Sequence, residues 1–304
     1  MTAGETLGAR LEARASPLAA LVVAIAAVST SAILIRWSGA PATIAAFYRV
    51  LFTTALLAPL AVTRHGERLR SLGRRDALAA GATGVALAVH FGAWFQSVEW
   101  TSVAASVTLV QAQPLFVAVG AWALLGERLG ARKLGGIGLA LAGMVAMSAG
   151  EFAAGALVGP RPLAGNTLAV GAAVMMAAYV LAGRSLRQRV PLVPYVTVVY
   201  SVCAAVLCAI ALAQGAPLRG YPPVEWGLFL AMAVGPGVLG HTVLNWALEH
   251  VESSVVSVSL LGEPVGSTLL ALLLLGEVPG AWTVAGGAVV LGGIYATART
   301  QSME

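Results

Sequence analysis

The sequence predicts an all-α integral membrane protein in which ten transmembrane helices form two inverted five-helix repeats. The first reason is composition: 59% of the 304 residues are hydrophobic and 10% are charged, whereas soluble proteins carry about 25% charged residues. The second is that apolar stretches of about 20 residues, long enough to cross a bilayer, fill most of the chain. The third is internal repetition, because the tetrapeptide LLGE at 124–127 returns at 274–277.

Short gaps containing Gly, Pro or charged residues separate the apolar segments. The ten predicted spans are 17–36, 42–62, 77–98, 102–124, 133–150, 164–183, 193–213, 225–248, 253–274 and 280–297. The first span follows Arg10 and Arg14, as the apolar core of a signal peptide would. Because it is also the first member of a repeating set, we expect it to remain as a helix. No segment has the composition of a separate soluble domain.

Lys and Arg are distributed unequally between alternate gaps. One set of alternate gaps, with both termini, holds 14 basic residues, the other set holds 3, and Arg49 alone lies inside a span. Basic residues accumulate in short cytoplasmic loops, so both termini are predicted to be cytoplasmic. This pattern accounts for the basic residues without nucleic acid as a partner.

The two halves, 1–150 and 151–304, share more than LLGE. Identical residues recur at the same 150-residue spacing: Glu99/Glu249, Pro114/Pro264, Gly130/Gly280, Ala131/Ala281, Gly136/Gly286 and Gly143/Gly293. A unit of five helices is odd in number, so its second copy must enter the membrane from the opposite side. This explains why basic residues such as Arg128 follow only the first LLGE. Inverted repeats are typical of secondary transporters.

Two long motifs carry a resemblance to a known family. They are LVQAQPLFVAVGAWALLGERLGARKLGGIGLALAG and LLGEPVGSTLLALLLLGEVPGAWTVAGGAVVLGG, each with a mid-helix Pro, a GE turn and a Gly-containing helix. The chain therefore resembles the EamA family of the drug/metabolite transporter superfamily. Within that family it is similar to bacterial exporters of amino acids and related metabolites, including aromatic amino acid exporters of the YddG type. Arg49 matches an arginine usual in helix 2 of the family, and its counterpart in the second repeat is Ser201.

Polar side chains within apolar spans are the candidates for a substrate site, because an ionised group at a helix centre costs ~2.5–3.5 kcal/mol or more. Glu263 would contact a substrate amine or carry a coupling proton, or would be a structural acid bonded across helices at Pro264. Gln113 occupies the equivalent position in the first repeat. Arg49 would bind a substrate carboxylate, reach outward to the interface or hold helices together.

Histidines with nearby aromatic residues lie in both halves. The pairs His90/Trp94 and His241/Asn245 are each four residues apart and so share a helix face. The remaining candidates for substrate contact are Gln111, Tyr179 and Trp246. A buried histidine can equally be a core group, and neither histidine has partners with metal-ligand spacing, so no metal site is predicted.

Prolines predict interruptions in three spans, since proline lacks a backbone donor and clashes with the preceding turn. Pro114, Pro236 and Pro264 are the predicted helix breaks, and interrupted helices mark the binding region of many transporters. The glycines of spans 5 and 10, which recur seven residues apart, predict close packing between helices instead.

These observations favour a secondary transporter of the bacterial inner membrane over an enzyme, because no nucleophile–base or metal constellation appears within the spans. The resemblance implies export of aromatic or other neutral amino acids by alternating access, without a cofactor. The alternatives are a drug/metabolite or phosphorylated-sugar transporter of the same superfamily, or a non-transporting scaffold or sensor. The expected partners are a small-molecule substrate and the lipid bilayer, and a homodimer is left open.

Overall fold

The computed structural model describes residues 17–125, 130–187, 189–243 and 260–301, and this part of the chain is helical throughout, with no β-strand. The elements, numbered by span, are α1a (Pro17–Ser29), α1b (Ser31–Trp37), α2 (Ala42–Arg70), α3 (Arg74–Trp100), α4a (Val103–Val110), α4b (Gln113–Leu125), α5 (Ala131–Ala153), α6 (Pro162–Leu186), α7 (Leu192–Ala213), α8a (Pro223–Met232), the π-helix α8b (Ala233–Thr242), α9 (Gly262–Leu275) and α10 (Ala281–Gln301).

Eight helical segments among the described residues are long and apolar enough to cross a membrane. They are Ala19–Trp37, Ala42–Arg70, Arg74–Trp100, Val103–Leu124, Ala131–Ala153, Pro162–Gly183, Val193–Ala213 and Pro223–Gly240. Two further apolar helices, Gly262–Leu275 and Ala281–Ala296, are shorter. The protein is therefore a multi-pass membrane protein. The predicted end of span 8 and start of span 9 lie outside the described residues.

Helix α2 differs from its predicted bounds. The apolar stretch ends near residue 62, but the helix continues to Arg70, with non-helical dihedral angles only at His65. The extension consists largely of good helix formers such as Glu67 and Leu69. Arg68 and Arg70 lie in its last turn, where a positive charge is favoured by the helix dipole.

Two of the three predicted breaks coincide with the starts of helices. Span 4 is interrupted at Gln111, and Pro114 lies in the first turn of α4b. Pro264 lies in the first turn of α9. A proline in a first turn forfeits no helical hydrogen bond, which is why each proline begins a helix here.

The prediction of a break at Pro236 was wrong. The chain continues through Pro236 as the π-helix α8b, whose wider i→i+5 turns accommodate a residue that lacks a donor. A break that was not predicted occurs in span 1, where Thr30 separates α1a from α1b. The Thr30 hydroxyl donates to the carbonyl of Ala27 at 2.7 Å and so binds a backbone oxygen of the preceding turn.

Helices α5 and α10 form the most extensive helix pair, and their contact is built from glycine. A Cβ added at Gly143 would lie 2.8 Å from the carbonyl oxygen of Gly286, and one at Gly293 would lie 2.6 Å from that of Gly136. The predicted close packing at these glycines is confirmed. Contacts that advance along α5 recede along α10, with Gly150 against Trp282 at one end, so the two helices run antiparallel.

The remaining helices pack around a second, larger core. The main pairs are α3 with α6, α2 with α7, α3 with α7, and α1a with α8b, while α9 packs against α4a and both parts of α1. This arrangement brings the interruptions of α1 and α4 together with the start of α9.

Candidate substrate-binding site

The interruption of α1 is joined to the start of α9 by direct hydrogen bonds. The hydroxyl of Ser29, the last residue of α1a, donates to the carbonyl oxygen of Glu263 at 3.5 Å. In return, the hydroxyl of Ser267 donates to the carbonyl oxygen of Ser29 at 3.0 Å. A Cβ on Gly266 would meet the Ser29 hydroxyl, so glycine at that position permits the approach.

Glu263 connects α9 to the interruption of α4. The side-chain amide of Gln111 donates a hydrogen bond to the Glu263 carboxylate, and the Glu263 side chain is half-buried. Gln113 begins α4b two residues further on and is also half-buried. Two of the predicted site residues, Glu263 and Gln111, are thus in contact.

Arg49 lies in the middle of α2 and is almost entirely buried, with 2% of its surface exposed. Its Nη1 donates to the hydroxyl of Ser31 at 3.0 Å, on the α1b side of the interruption. The guanidinium carbon lies 4.7 Å from the ring centre of Phe91, 5.9 Å from that of Trp94 and 5.7 Å from that of Phe95.

No carboxylate in the described part of the chain lies within 4.0 Å of Arg49. The guanidinium is therefore held by one hydroxyl and the faces of aromatic rings. Cation–π contacts of this kind stabilise a cation by about 2 kcal/mol or more when water is excluded, less than a desolvated ion costs.

A small cavity of about 20 Å³ lies beside Arg49. Its lining comes from four helices, α2, α3, α7 and α8b, and consists of Arg49, Val50, Thr53, Phe91, Tyr200 and Gly237. A Cβ on Gly237 would lie 2.6 Å from the Thr53 hydroxyl, so glycine permits the close approach of α8b to α2. A space of this size holds about one water molecule.

His90 is held in the helix packing on one side of its ring. Its Nδ1 lies 2.8 Å from the carbonyl oxygen of Ala172 in α6, and the ring stacks on Trp94 with the centres 6.2 Å apart. Trp94 is 5% exposed, and its indole nitrogen has no hydrogen-bond partner in the described part of the chain. His90 thus links α3 to α6, whereas Trp94 retains an unused donor close to Arg49.

The remaining predicted residues are Tyr179, His241, Asn245 and Trp246. Tyr179 is half-buried in α6, with its ring centre 6.5 Å from that of Tyr195. The backbone at His241 belongs to α8b, but its side chain lies outside the described part. Asn245 and Trp246 lie wholly outside the described residues.

Tyr200 was missed by the sequence analysis, although it lines the cavity with Arg49. No local pattern in the sequence signals this role, because Tyr200 lies near Arg49 only through the packing of α7 on α2.

Comparisons with known proteins agree with a transporter. The chain is 25% identical over 259 residues to an uncharacterized transporter of Archaeoglobus fulgidus, covering 84% of this chain and 87% of the relative. A solved crystal structure aligns with a TM-score of 0.63 at 21% identity, covering 93% of this chain and 97% of the other, and shares the fold. The model of the EamA-like transporter family matches residues 14–149 and again residues 163–299. The chain therefore belongs to the EamA-like transporter family.

Proposed function

We propose that the protein is a secondary transporter that exports aromatic or other neutral amino acids across the bacterial inner membrane by alternating access. In this proposal ten spans form two inverted repeats, and both termini are cytoplasmic. The observation that carries it is the buried Arg49 next to a cavity, together with the Glu263 carboxylate bonded to Gln111 at the interruption of α4. Ionisable groups at membrane depth are expensive and mark substrate or ion pathways.

The inverted repeat is supported by the α5–α10 contact. The pair Gly143–Gly286 becomes Gly293–Gly136 when each residue is moved by the 150-residue repeat, and both contacts exist. Two helices related in this way that run antiparallel cross a membrane in opposite senses. Helix α3 packs against α6, and their counterparts in the other repeat, α8b and α1a, pack against each other in the same way.

The proposed topology is supported by hydrogen bonds between distant connecting segments. Arg36 bonds Glu277 at 3.2 Å, and Ser38 bonds Glu225 at 2.6 Å. Ser38 and Glu277 fall in gaps assigned to the outer side by the distribution of basic residues, and Arg36 and Glu225 are the span ends that border such gaps. The ion pair between Arg189 and Asp76 joins two gaps assigned to the cytoplasm, so no such bond connects opposite sides in the described part.

The substrate class follows from the chemistry of the site. Aromatic rings suit an apolar side chain, and a buried cation with a nearby acid suits a small polar head. A phosphorylated substrate would require a cluster of Arg or Lys, whereas Arg49 is the single Lys or Arg in the interior of the predicted spans, since Arg36 and Lys133 lie at span ends. Transport would then proceed by rocking of the two halves about the site.

Flux measurements test this function. The purified protein is placed in liposomes loaded with radiolabelled phenylalanine, tryptophan, leucine or glucose 6-phosphate, and release is followed over time. We expect faster release of the aromatic and neutral amino acids than from empty liposomes, with the sugar phosphate as the matched negative solute. Release of no amino acid would reject the assignment.

Glu263 would carry the proton if export is proton-coupled, because its carboxylate contacts a neutral amide rather than a cation. Replacing Glu263 with Gln should then leave the protein folded and transport independent of an imposed pH gradient. The exposed Glu67→Gln is the control. A Glu263→Gln protein whose flux still follows the pH gradient would remove this role.

A further inference from the structure

The hairpin formed by α2 and α3 carries exposed arginines around its tip. Helix α2 ends at Arg70, α3 begins at Arg74, and a short connection joins them. The exposed side chains in this stretch include five arginines: Arg64, Arg68, Arg70, Arg74 and Arg75. The same stretch contains two acids, Glu67 and Asp76, and the Asp76 carboxylate is paired with Arg189. The tip of the hairpin is therefore strongly positive.

The arginines of α2 begin where this helix leaves the hydrocarbon core. The apolar part of α2, residues 42–62, is about 31 Å long at 1.5 Å per residue, and the hydrocarbon core of a bilayer is about 30 Å thick. The helix continues from there to Arg70, which adds about 12 Å. The headgroup layer on each side is about 5–8 Å thick. Arg64 and Arg68 are therefore expected at the depth of the lipid phosphates.

Exposed apolar side chains lead up to the arginines on both helices. On α2, Leu56, Leu60 and Arg64 follow one another at four-residue spacing, and all three are exposed. On α3, the exposed Leu78 lies four residues after Arg74. Side chains four residues apart share a helix face. On each helix, an arginine thus lies at the end of an apolar face that the described part of the protein does not cover.

The opposite end of the bundle has no such excess of positive charge in its described connections. Three arginines there are accompanied by four glutamates: Arg36, Arg161 and Arg219, with Glu99, Glu151, Glu225 and Glu277. Arg36 is in addition paired with Glu277. A negatively charged partner therefore fits the hairpin end of the bundle and not the opposite end.

A phospholipid matches the hairpin better than a soluble polyanion does. A nucleic acid or an acidic protein would contact the arginines alone, whereas a lipid also covers the apolar faces that continue from them. Clusters of about four to eight basic residues beside a membrane span are typical of binding sites for anionic lipids.

We propose that the α2–α3 hairpin binds an anionic phospholipid. The phosphate group contacts Arg64, Arg68 and Arg74, and the acyl chains lie along Leu60 and Leu78. Because like charges four residues apart on a helix repel each other, the bound phosphate also stabilises the end of α2. The proposal concerns the lipid partner and does not rest on the proposed function.

Lipid retention tests the site. The purified protein is equilibrated in detergent with equal amounts of phosphatidylglycerol, which is anionic, and phosphatidylcholine, which is zwitterionic, both with the same acyl chains. The lipids retained on the protein are then counted by native mass spectrometry. We expect a preference for phosphatidylglycerol of at least about fivefold, the factor for one contact between a basic residue and an anionic headgroup. Equal retention of the two lipids would overturn the proposal.

Paired variants assign the preference to the hairpin. Arg68→Gln/Arg74→Gln removes one arginine from each helix and should lower the preference by about fivefold or more. Arg68→Lys/Arg74→Lys keeps both charges and should retain it. The control Arg132→Gln/Arg219→Gln removes the same charge from exposed positions outside the hairpin and should leave the preference unchanged. If the control lowers the preference as much as Arg68→Gln/Arg74→Gln does, net charge selects the lipid and the site is rejected.

Two further measurements separate a lipid from other anions. Free glycerol 3-phosphate has a phosphate group without acyl chains and should not displace the retained phosphatidylglycerol. Displacement would replace the lipid by a soluble phosphate and overturn the proposal. At about 1 M salt, where the Debye length is about 3 Å, the preference for phosphatidylglycerol should fall, and a preference that persists would contradict an exposed electrostatic site.

Discussion

The two ends of the helix bundle are held together in different ways. One end, defined by the connections 36–41, 100–103, 213–223 and 275–281, is crossed by hydrogen bonds between distant segments, and we call it the tied end. At the other end, the connections 70–74 and 186–192 are joined by the ion pair between Arg189 and Asp76. The contacts described at the two ends therefore differ in kind.

Glu277 is the centre of the tied end. Its Oε1 accepts from the backbone N–H of Val103 at 2.6 Å, at the start of α4a, where a negative charge also complements the helix dipole. Its Oε2 accepts from Arg36 at 3.2 Å, and Arg36 also donates to the carbonyl of Thr101 at 2.7 Å. One carboxylate thus joins the ends of α1 and α9 to the beginning of α4.

The opposite end is held by a weaker contact. Arg189 Nε lies 2.9 Å from Asp76, but 55% of the Arg189 side chain and 25% of the Asp76 side chain are exposed. Exposed pairs contribute about 0–1 kcal/mol. If transport alternates between states open at either end, breaking this pair costs less than breaking the contacts of Glu277.

The largest effect is expected from Glu277→Ala. It removes the acceptor for Val103 and leaves Arg36 without its carboxylate, which should cost about 1–3 kcal/mol. The measurement is thiol labelling of Ala40→Cys, a buried position in the tied end, in a protein with Cys203 and Cys208 changed to alanine. Labelling should become faster and the thermal midpoint should fall. Unchanged labelling would show that Glu277 does not hold this end.

Glu225→Ala should have the next largest effect. The Glu225 carboxylate accepts from the Ser38 hydroxyl and from the Gly39 backbone, each at 2.6 Å. Its loss leaves a backbone N–H unpaired, at a cost of about 1–2 kcal/mol. The same Ala40→Cys reporter should label faster than in wild type but more slowly than with Glu277→Ala. A reversed order would contradict the assignment of Glu277 as the centre.

The pH dependence should be smaller and has a defined sign. Burial raises the pKa of Glu277, and Arg36 with the N–H groups of Val103 and Ala104 offsets only part of the rise. Glu277 therefore binds a proton more tightly when the tied end is closed than when this end is open and hydrated. The resulting stabilisation is fully present below the ordinary glutamate pKa of about 4.3 and is lost as the pH rises through the raised value.

Labelling of Ala40→Cys should therefore increase with pH more steeply in wild type than in Glu277→Gln. Dividing the labelling rate with wild-type Glu277 by the rate with Glu277→Gln removes the intrinsic pH dependence of the thiol. If this ratio falls as the pH rises, the predicted sign is wrong.

The smallest effect is expected at the other end. Asp76→Asn removes the Arg189 ion pair. The shift in the thermal midpoint should correspond to a loss of less than about 1 kcal/mol in the free energy of unfolding. Labelling of Ala80→Cys, a buried position one turn from Asp76, should change less than labelling of Ala40→Cys does with Glu277→Ala. A larger response would remove the contrast between the two ends.

The elements that the sequence predicted well depend on local chemistry. Pro114 and Pro264 begin helices because proline suits a first turn, and the glycines at 136, 143, 286 and 293 mark a close contact because the missing Cβ is visible in the sequence. The predicted span at 102–124 agrees with α4a and α4b because its apolar residues are also visible in the sequence.

The features that were missed depend on tertiary packing. Thr30 interrupts span 1, but serine and threonine occur in many uninterrupted helices, so the residue alone does not signal a break. Tyr200 lines the cavity because α7 packs on α2, which no local pattern encodes. His90 could not be assigned to the site or to the core from the sequence, because the assignment depends on the contact with Ala172 of α6.

The winding of α8b has a consequence for how the cavity could change shape. A π-helix accommodates more residues per turn than an α-helix, and Gly237 of this segment forms part of the cavity wall. Rewinding a single residue into α form would rotate the following chain by about 100° and advance it by about 1.5 Å. One face of α8 could thus be exchanged for another at the cavity while both of its neighbours, α1a and α2, stay in place.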